Sequence, residues 1–461
     1  MVVCRNIVML LVTMLLPPHV ATEIVPHVWY SARLTAGMVQ SLQESVKPLI
    51  VDVVGKIVGK SSSVLLSKTW TFGTSVVSVR LYKEQWNFLL AMLEKGHRVD
   101  VTEKSRQDMM LNDTRLDFRE RHLFKLPPSR RVCTSRMWKD GILLPFGSRL
   151  EEFSFPNPTL FDPETSSWLQ KESADPIEGW PLEIVRGLSA KYGTPDRDLY
   201  GLLYFYVREK LTAFCNKIAN SKMLFHFYCT DASTLGSLID KDLKFDRVEV
   251  ANIVDRTYLG LKKTLMTCGS LLKSPSTNPH AVLVALFMAA VDEVADGLGP
   301  DYMMEHMISA SPKTQRFIRG HKNLHKYHPT WIRVIAANDI FRDNDFLFKH
   351  YMKQVDFDKA GRETKMKMKE KNTVMEAWPY RFTKKAGEPG AQKAFDLLES
   401  SGGVGSERYV EWVRSERALE FLSNASNETL GACIVGLAAV TWLVLERVGL
   451  VLIGERALWE E

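Results

Sequence analysis

Cysteine is scarce and unpaired in this chain. Cys4, Cys133, Cys215, Cys229, Cys268 and Cys433 are scattered over 461 residues with no Cys-x-x-Cys spacing. That distribution excludes a zinc knuckle or a disulfide framework and suits a reducing compartment. Equally absent are a Gly-x-Ser-x-Gly elbow, a phosphate-binding glycine loop and a His-Glu-x-x-His pair. Charge of one sign is in small excess, +6 overall with a pI near 8.8. The balance permits acidic partners but supplies no localised basic patch of the kind that nucleic-acid binding needs. No uninterrupted apolar run reaches the roughly 20 residues of a membrane span.

What is present is enough to build substantial cores. With 45% hydrophobic and 25% charged residues, the chain has globular composition, and its length accommodates two to four domains of about 100–200 residues. Residues 1–16 combine Arg5 with an apolar run from Ile7 to Leu16. The run is predicted as a buried helix stopped by Pro17; a signal peptide is the alternative, although Pro17-Pro18-His19-Val20-Ala21-Thr22 lacks a clean small-x-small cleavage pattern. Residues 35–58 and 78–93 carry apolar positions at helical spacing, and Trp70, Trp86 and Trp138 are expected to fill cores. Thr194-Pro195-Asp196 predicts a helix start, with Thr194 as the cap and the helix running over 199–219.

Several constellations invite a chemical reading. His321, His325 and His328 share one helical face, but Lys322 and Lys326 beside them repel a cation. Cys229 near His226 lies on a predicted strand and has no partner geometry for a nucleophile. Residues 359–371 are strongly basic and are expected on a solvated surface, without the interleaved aromatics of a base-stacking patch. Residues 400–405 follow a predicted helix and read as its carboxyl-terminal cap. Residues 430–445 form an uncharged, mostly apolar run, interrupted by Glu446-Arg447 and resumed over 448–454; a tail anchor and a helix packed on protein are the two readings.

The informative stretch is 222–288. Residues 225–229, 245–253 and 281–288 are short apolar or aromatic runs separated by helix-like segments, the pattern of a parallel sheet with crossover helices. Ligands of open α/β sheets bind beyond the carboxyl ends of the strands. Asp231 after the first run, with Asn252 and Asp255 after the second, is therefore the candidate binding constellation. The competing reading is that these three side chains cap local turns.

The runs Phe225-His226-Phe227-Tyr228-Cys229-Thr230-Asp231-Ala232 and Phe245-Asp246-Arg247-Val248-Glu249-Val250-Ala251-Asn252-Ile253 resemble a family of uncharacterised fungal proteins. These carry the domain of unknown function numbered 4470, itself similar to the amino-terminal part of axonemal dynein assembly factor 3. Asp255-Arg256-Thr257-Tyr258, Asn157-Pro158-Thr159, Asp175-Pro176-Ile177-Glu178-Gly179 and Gly405-Ser406-Glu407-Arg408-Tyr409-Val410-Glu411-Trp412 extend the likeness collinearly. The resemblance implies a methyltransferase-type Rossmann fold interrupted by a helical insertion. Cys4-Arg5-Asn6-Ile7 looks like the helix that follows the family's acidic ribose-binding motif. On that alignment the glycine-rich turn and the acidic motif both lie outside this sequence, and only the Asp231 side of a cofactor crevice remains.

The expectation is thus an α/β fold: a partial Rossmann-like, methyltransferase-type parallel sheet, a large, mainly helical insertion and a helical carboxyl-terminal region. Residues 1–22 supply the first core helix, 23–193 the insertion, 194–300 the Rossmann-like core, 301–415 the helical region and 428–454 a hydrophobic tail helix. The functional expectation is a non-catalytic binding or assembly module with a protein partner and no nucleic acid. No cofactor is expected, S-adenosylmethionine only if a missing amino-terminal part exists. The alternatives are a methyltransferase relative lacking its cofactor loop and a tail-anchored protein touching the membrane through residues 430–453. The expected location is cytoplasmic, or a membrane if the tail anchors.

Overall fold

A computed structural model describes residues 2–170, 174–318, 325, 328, 330–399, 405–415 and 449–455. It is a mixed α/β protein of many helices and small sheets. Met1–Thr230 and Asp231–Thr441 make up the bulk of two compact units. The division falls inside the span 194–300 that the sequence presents as one core.

The first unit opens with α1 (Val2–Leu15) and α2 (Pro18–Tyr30). Pro17 disfavours helical geometry at the residue before it, and Pro18 sits in the first turn of α2, where its missing N–H costs nothing. Ile7, Val8, Leu11 and Val12 are fully buried. This is the buried helix expected from the apolar run. Strand β1 (Arg33–Leu34) pairs with β4 (Phe155–Pro156), a two-residue ladder. Strands β2 (Leu65–Phe72) and β3 (Ser75–Tyr82) form a hairpin in which Gly73 takes φ +59, a conformation that costs glycine nothing. Helix α3 (Lys83–Glu94) follows directly and places Trp86 edge-on to Trp70, ring centroids 6.1 Å apart. Trp70, Trp86 and Trp138 are all buried, as expected.

Helices α4 (Val99–Met110) and α5 (Pro128–Asp140) lie in the predicted insertion, and α6 (Leu199–Asn220) leads into β5 (Met223–Cys229). The cap of α6 is Asp198, which accepts the Gly201 N–H at 3.1 Å, and not Thr194. Residues 195–198 form a turn closed by the Asp198 N–H on the Pro195 carbonyl, and this delays the helix by one turn. β5 pairs parallel with β3, from Val76↔Leu224 to Arg80↔Tyr228. Residues 449–455 form β10 (Gly449–Glu455), and the sheet order is β10-β5-β3-β2. Part of the expected tail helix is therefore a strand, which pairs with an otherwise open edge of β5. Residues 430–445 lie outside the described residues. Among the described residues no helix is long and apolar enough to cross a membrane.

The second unit holds the sheet β6-β7-β9-β8, with β6 (Arg247–Val250), β7 (Val282–Phe287), β8 (Met366–Met368) and β9 (Arg408–Arg414). Only β6 and β7 run parallel; β9 is antiparallel to β7, and β8 to β9. All six residues of β7 are buried, as in a strand covered on both faces. Helices α7 (Leu261–Gly269), α8 (Ala290–Thr314), α9 (Asn344–Val355) and α10 (Phe357–Thr364) belong to this unit. Phe287 anchors the core against Phe348, Tyr351 and Phe357, at centroid distances of 5.4, 5.8 and 5.5 Å.

Two expectations are corrected here. The three runs of the 222–288 stretch are strands, but β5 joins the sheet of β3 while β6 and β7 join that of β9. Between β5 and β6 there is only a 3-10 turn and the single helical turn Leu235–Leu238, not the crossover helix that usually links neighbouring parallel strands. Secondly, the carboxyl-terminal region is not purely helical, since β8 and β9 complete the second sheet. Their central carboxylate, Glu411, is fully buried and accepts the N–H groups of Thr373, Val374 and Met375 at 2.8, 2.6 and 3.0 Å, with Lys369 Nζ at 3.0 Å. The basic run 359–371 is thus paired at Lys369, with Glu411, while its own Glu363 is taken by Lys262 from outside the run.

Candidate functional site

The candidate residues lie in the second unit. Strand β6 alternates, with Val248 and Val250 buried, and ends in a 3-10 turn over Asn252–Val254. The chain then reverses: the Tyr258 N–H bonds the Asp255 carbonyl at 3.0 Å and the Gly260 N–H the Ile253 carbonyl at 3.1 Å. Gly260, at φ +79, releases the chain into α7. Asp255 is fully buried at this reversal. Its Oδ2 accepts the N–H of Met288 and of Ala289, both at 3.1 Å, where β7 gives way to α8. A carboxylate at a helix start also meets the positive end of the helix dipole.

Around Asp255 the polar groups are unevenly satisfied. Arg256 bridges to Glu293 Oε1 at 3.0 Å and to Gln354 Oε1 at 3.0 Å, and its N–H donates to the Tyr351 hydroxyl at 3.2 Å. Asp255 Oδ1, Asn252 Oδ1 and Glu293 Oε2 are buried with no donor. Burial raises the Asp255 carboxyl to about 6, outweighing its two backbone donors, and the nearby Glu293 charge adds to the rise. Burial likewise pushes the Tyr351 hydroxyl up to about 12, with Asp255 contributing. The cluster is therefore able to hold a proton close to neutral pH.

Asp231 plays a different part. It caps its own turn, accepting the Ser233 N–H at 2.8 Å and the Ser233 hydroxyl at 2.5 Å, and these bonds lower its pKa. Because β5 and β6 lie in different sheets, Asp231 and Asp255 do not follow adjacent strands of one sheet. The structure brings Asp255 together with Arg256, Glu293 and Tyr351. Of these, Glu293 carries a sequence signal, an acidic residue in the first turn of a helix after a strand; Tyr351 carries none.

The other candidates fare as follows. His321 lies outside the described residues, and His328 Nδ1 accepts the Thr330 N–H at 3.2 Å. Among the described residues no group of three or more His, Cys, Asp or Glu is arranged to hold a metal ion. Cys229 Sγ accepts from Gln85 Nε2 at 3.0 Å, and burial raises its thiol pKa, the opposite of an activated nucleophile. Cys4, Cys133, Cys215, Cys229 and Cys268 are free thiols. Comparison with protein-family models, curated proteins and solved structures finds no match to this chain.

The short motifs behind the family resemblance have structural work. Asn157 Nδ2 donates to the carbonyls of His27, Val28 and Ser31 at 3.0, 3.1 and 2.8 Å, satisfying the carboxyl-terminal end of α2. Thr159 Oγ1 adds a bond to the Val28 carbonyl at 2.9 Å. Asp175 accepts from the Tyr200 hydroxyl at 2.9 Å and the Ile177 N–H at 3.1 Å.

Proposed function

We propose that this protein is a non-catalytic binding or assembly module, and that its second unit is a degenerate piece of a Rossmann-type fold. The fold part of the reading rests on the parallel pair β6–β7 with α7 between the strands. The functional part is carried by one observation: the carboxylates that follow the strands are engaged by the chain itself. Asp255 holds Met288 and Ala289, and Asp231 holds Ser233. In a cofactor-binding sheet those positions face the ligand.

The family reading, a relative of the fungal proteins with domain 4470, stays with this proposal. So does the cytoplasmic location, which the free thiols suit. A protein partner is supported by exposed apolar residues on the second half of α8, Met303, Met304, Met307 and Ile308, spaced to share one helix face.

The test is thermal denaturation of the full chain with S-adenosylmethionine. The reading expects no ligand-dependent shift. A saturable stabilisation that Asp231→Ala abolishes overturns it in favour of the methyltransferase relative.

A further inference from the structure

The first unit contains a cavity of about 40 Å³ whose walls come from α1, α2, α4, α5 and the loop around residue 170. Space of this size takes a few heavy atoms, since a single water needs about 10–15 Å³ on the same measure. The polar character of its lining is one-sided.

Arg5, on α1, is 3% exposed, and its one hydrogen bond among the described residues is a long one, Nη1 to the Trp29 carbonyl at 3.5 Å. Its Nε–H is buried without an acceptor. Gln170 Nε2 and Trp168 Nε1, which also line the cavity, are likewise buried donors with no acceptor. A second guanidinium, Arg106, is 5% exposed. It donates to the carbonyls of Lys139 and Met137 at 3.0 and 2.8 Å and lies 5.7 Å from the Trp168 ring centre. Neither arginine has a described carboxylate within ion-pair distance.

Two buried cations and three orphaned donors around one small space are costly to keep, because a buried charge without a counter-charge is strongly destabilising. A small oxyanion removes the cost from all of them at once: the Arg5 fork presents parallel donors to two oxygens, and an amide and an indole N–H complete the shell. We propose that this cavity is a binding site for a small oxyanion, the carboxylate of an organic acid or inorganic phosphate. Arg5, Trp168 and Gln170 supply the hydrogen bonds, and Arg106 supplies the second positive charge. Trp29 and Tyr30, stacked at 4.7 Å, form part of the wall. The site goes beyond the strand-end reading of the second unit and does not depend on it.

The test is thermal denaturation of the full chain in acetate or phosphate, with chloride as the control at constant ionic strength. The expected result is a saturable rise of about 2–4 °C with at least one of the two anions, and the comparison of the two arms tells which anion it is. Arg5→Gln is expected to abolish the anion-dependent rise and, with the unpaired charge gone, to raise the Tm measured in chloride. Those opposite signs separate a ligand site from a structural arginine. Should Arg5→Gln not fold, Trp168→Phe keeps an aromatic ring, removes one donor and is expected to weaken anion binding several-fold. No saturable shift with either anion, or an equal shift in wild type and Arg5→Gln, overturns the proposal.

Discussion

The carboxylate of Asp255 holds the N–H of Ala289 at 3.1 Å, so the residue that closes one strand end also fixes the start of the helix after the next. Asp255→Asn tests the energetic consequence. The folded carboxyl is raised from 3.8 to about 6 by burial, so the folded state binds this proton more tightly than the unfolded chain. Stability from this group is complete below pH 3.8 and is lost as pH rises through 6. The gap corresponds to about 3 kcal/mol at most. The variant should therefore melt higher than wild type at pH 7.5, with the difference shrinking as pH approaches 4.5.

Glu411 has the opposite sign. Burial alone would raise its carboxyl, but the backbone donors of Thr373, Met375 and Val374, together with Lys369, outweigh burial and lower it. Stability from Glu411 is present above the unfolded carboxyl value of about 4.3 and lost as pH falls through the lower folded value. Glu411→Gln turns an amide N–H₂ towards backbone donors and should cost on the order of 2 kcal/mol at neutral pH. In urea unfolding at descending pH, the gap to wild type should narrow once the pH falls below the unfolded carboxyl value of about 4.3.

Asn157→Ala removes the side chain that satisfies three buried carbonyls at the end of α2. The His27 carbonyl keeps the Ser31 N–H and the Val28 carbonyl keeps the Thr159 hydroxyl, so the Ser31 carbonyl is the one left without a donor. An orphaned group costs about 1–3 kcal/mol, and a loss on the order of 2 kcal/mol is expected in chemical unfolding. Asn157→Asp should be no better, since a carboxylate cannot donate to those carbonyls.

Gly141→Ala combines two penalties. Gly141 ends α5 at φ +67, and a Cβ there would overlap the Arg106 guanidinium. The left-handed conformation alone costs about 1 kcal/mol. Displacing Arg106 also removes its bonds to the Lys139 and Met137 carbonyls. A drop in Tm larger than for an alanine at exposed Gly96, which has open space around its Cα, is the expected result.

Local chemistry was legible where it acts over a few residues. Pro17-Pro18 marked the break between α1 and α2, and β-rich runs located β5, β6 and β7. Apolar periodicity located α6 and the body of α3, although 78–82 of that expected helix belong to strand β3. Thr194 misled because a turn that starts at Pro195 lies between it and the helix, and Asp198 is the residue whose carboxylate reaches Gly201. The site was legible by half. Asp255 after a strand was visible as a candidate, but its partners Glu293 and Tyr351 stand 38 and 96 positions away, and nothing local announces a contact across such distances.

By itself, then, the sequence determined the helices α1 and α6 and the strands β5, β6 and β7, because these follow from side-chain period, proline and turn chemistry. Only the tertiary structure decided which strands share a sheet. Pairing joins backbone edges across long separations, and β3 lies some 140 residues before β5, its partner. The same is true of the cavity: Arg5, Arg106 and Gln170 look like ordinary surface residues in the sequence, and only packing removes them from water and leaves their donors facing one small space.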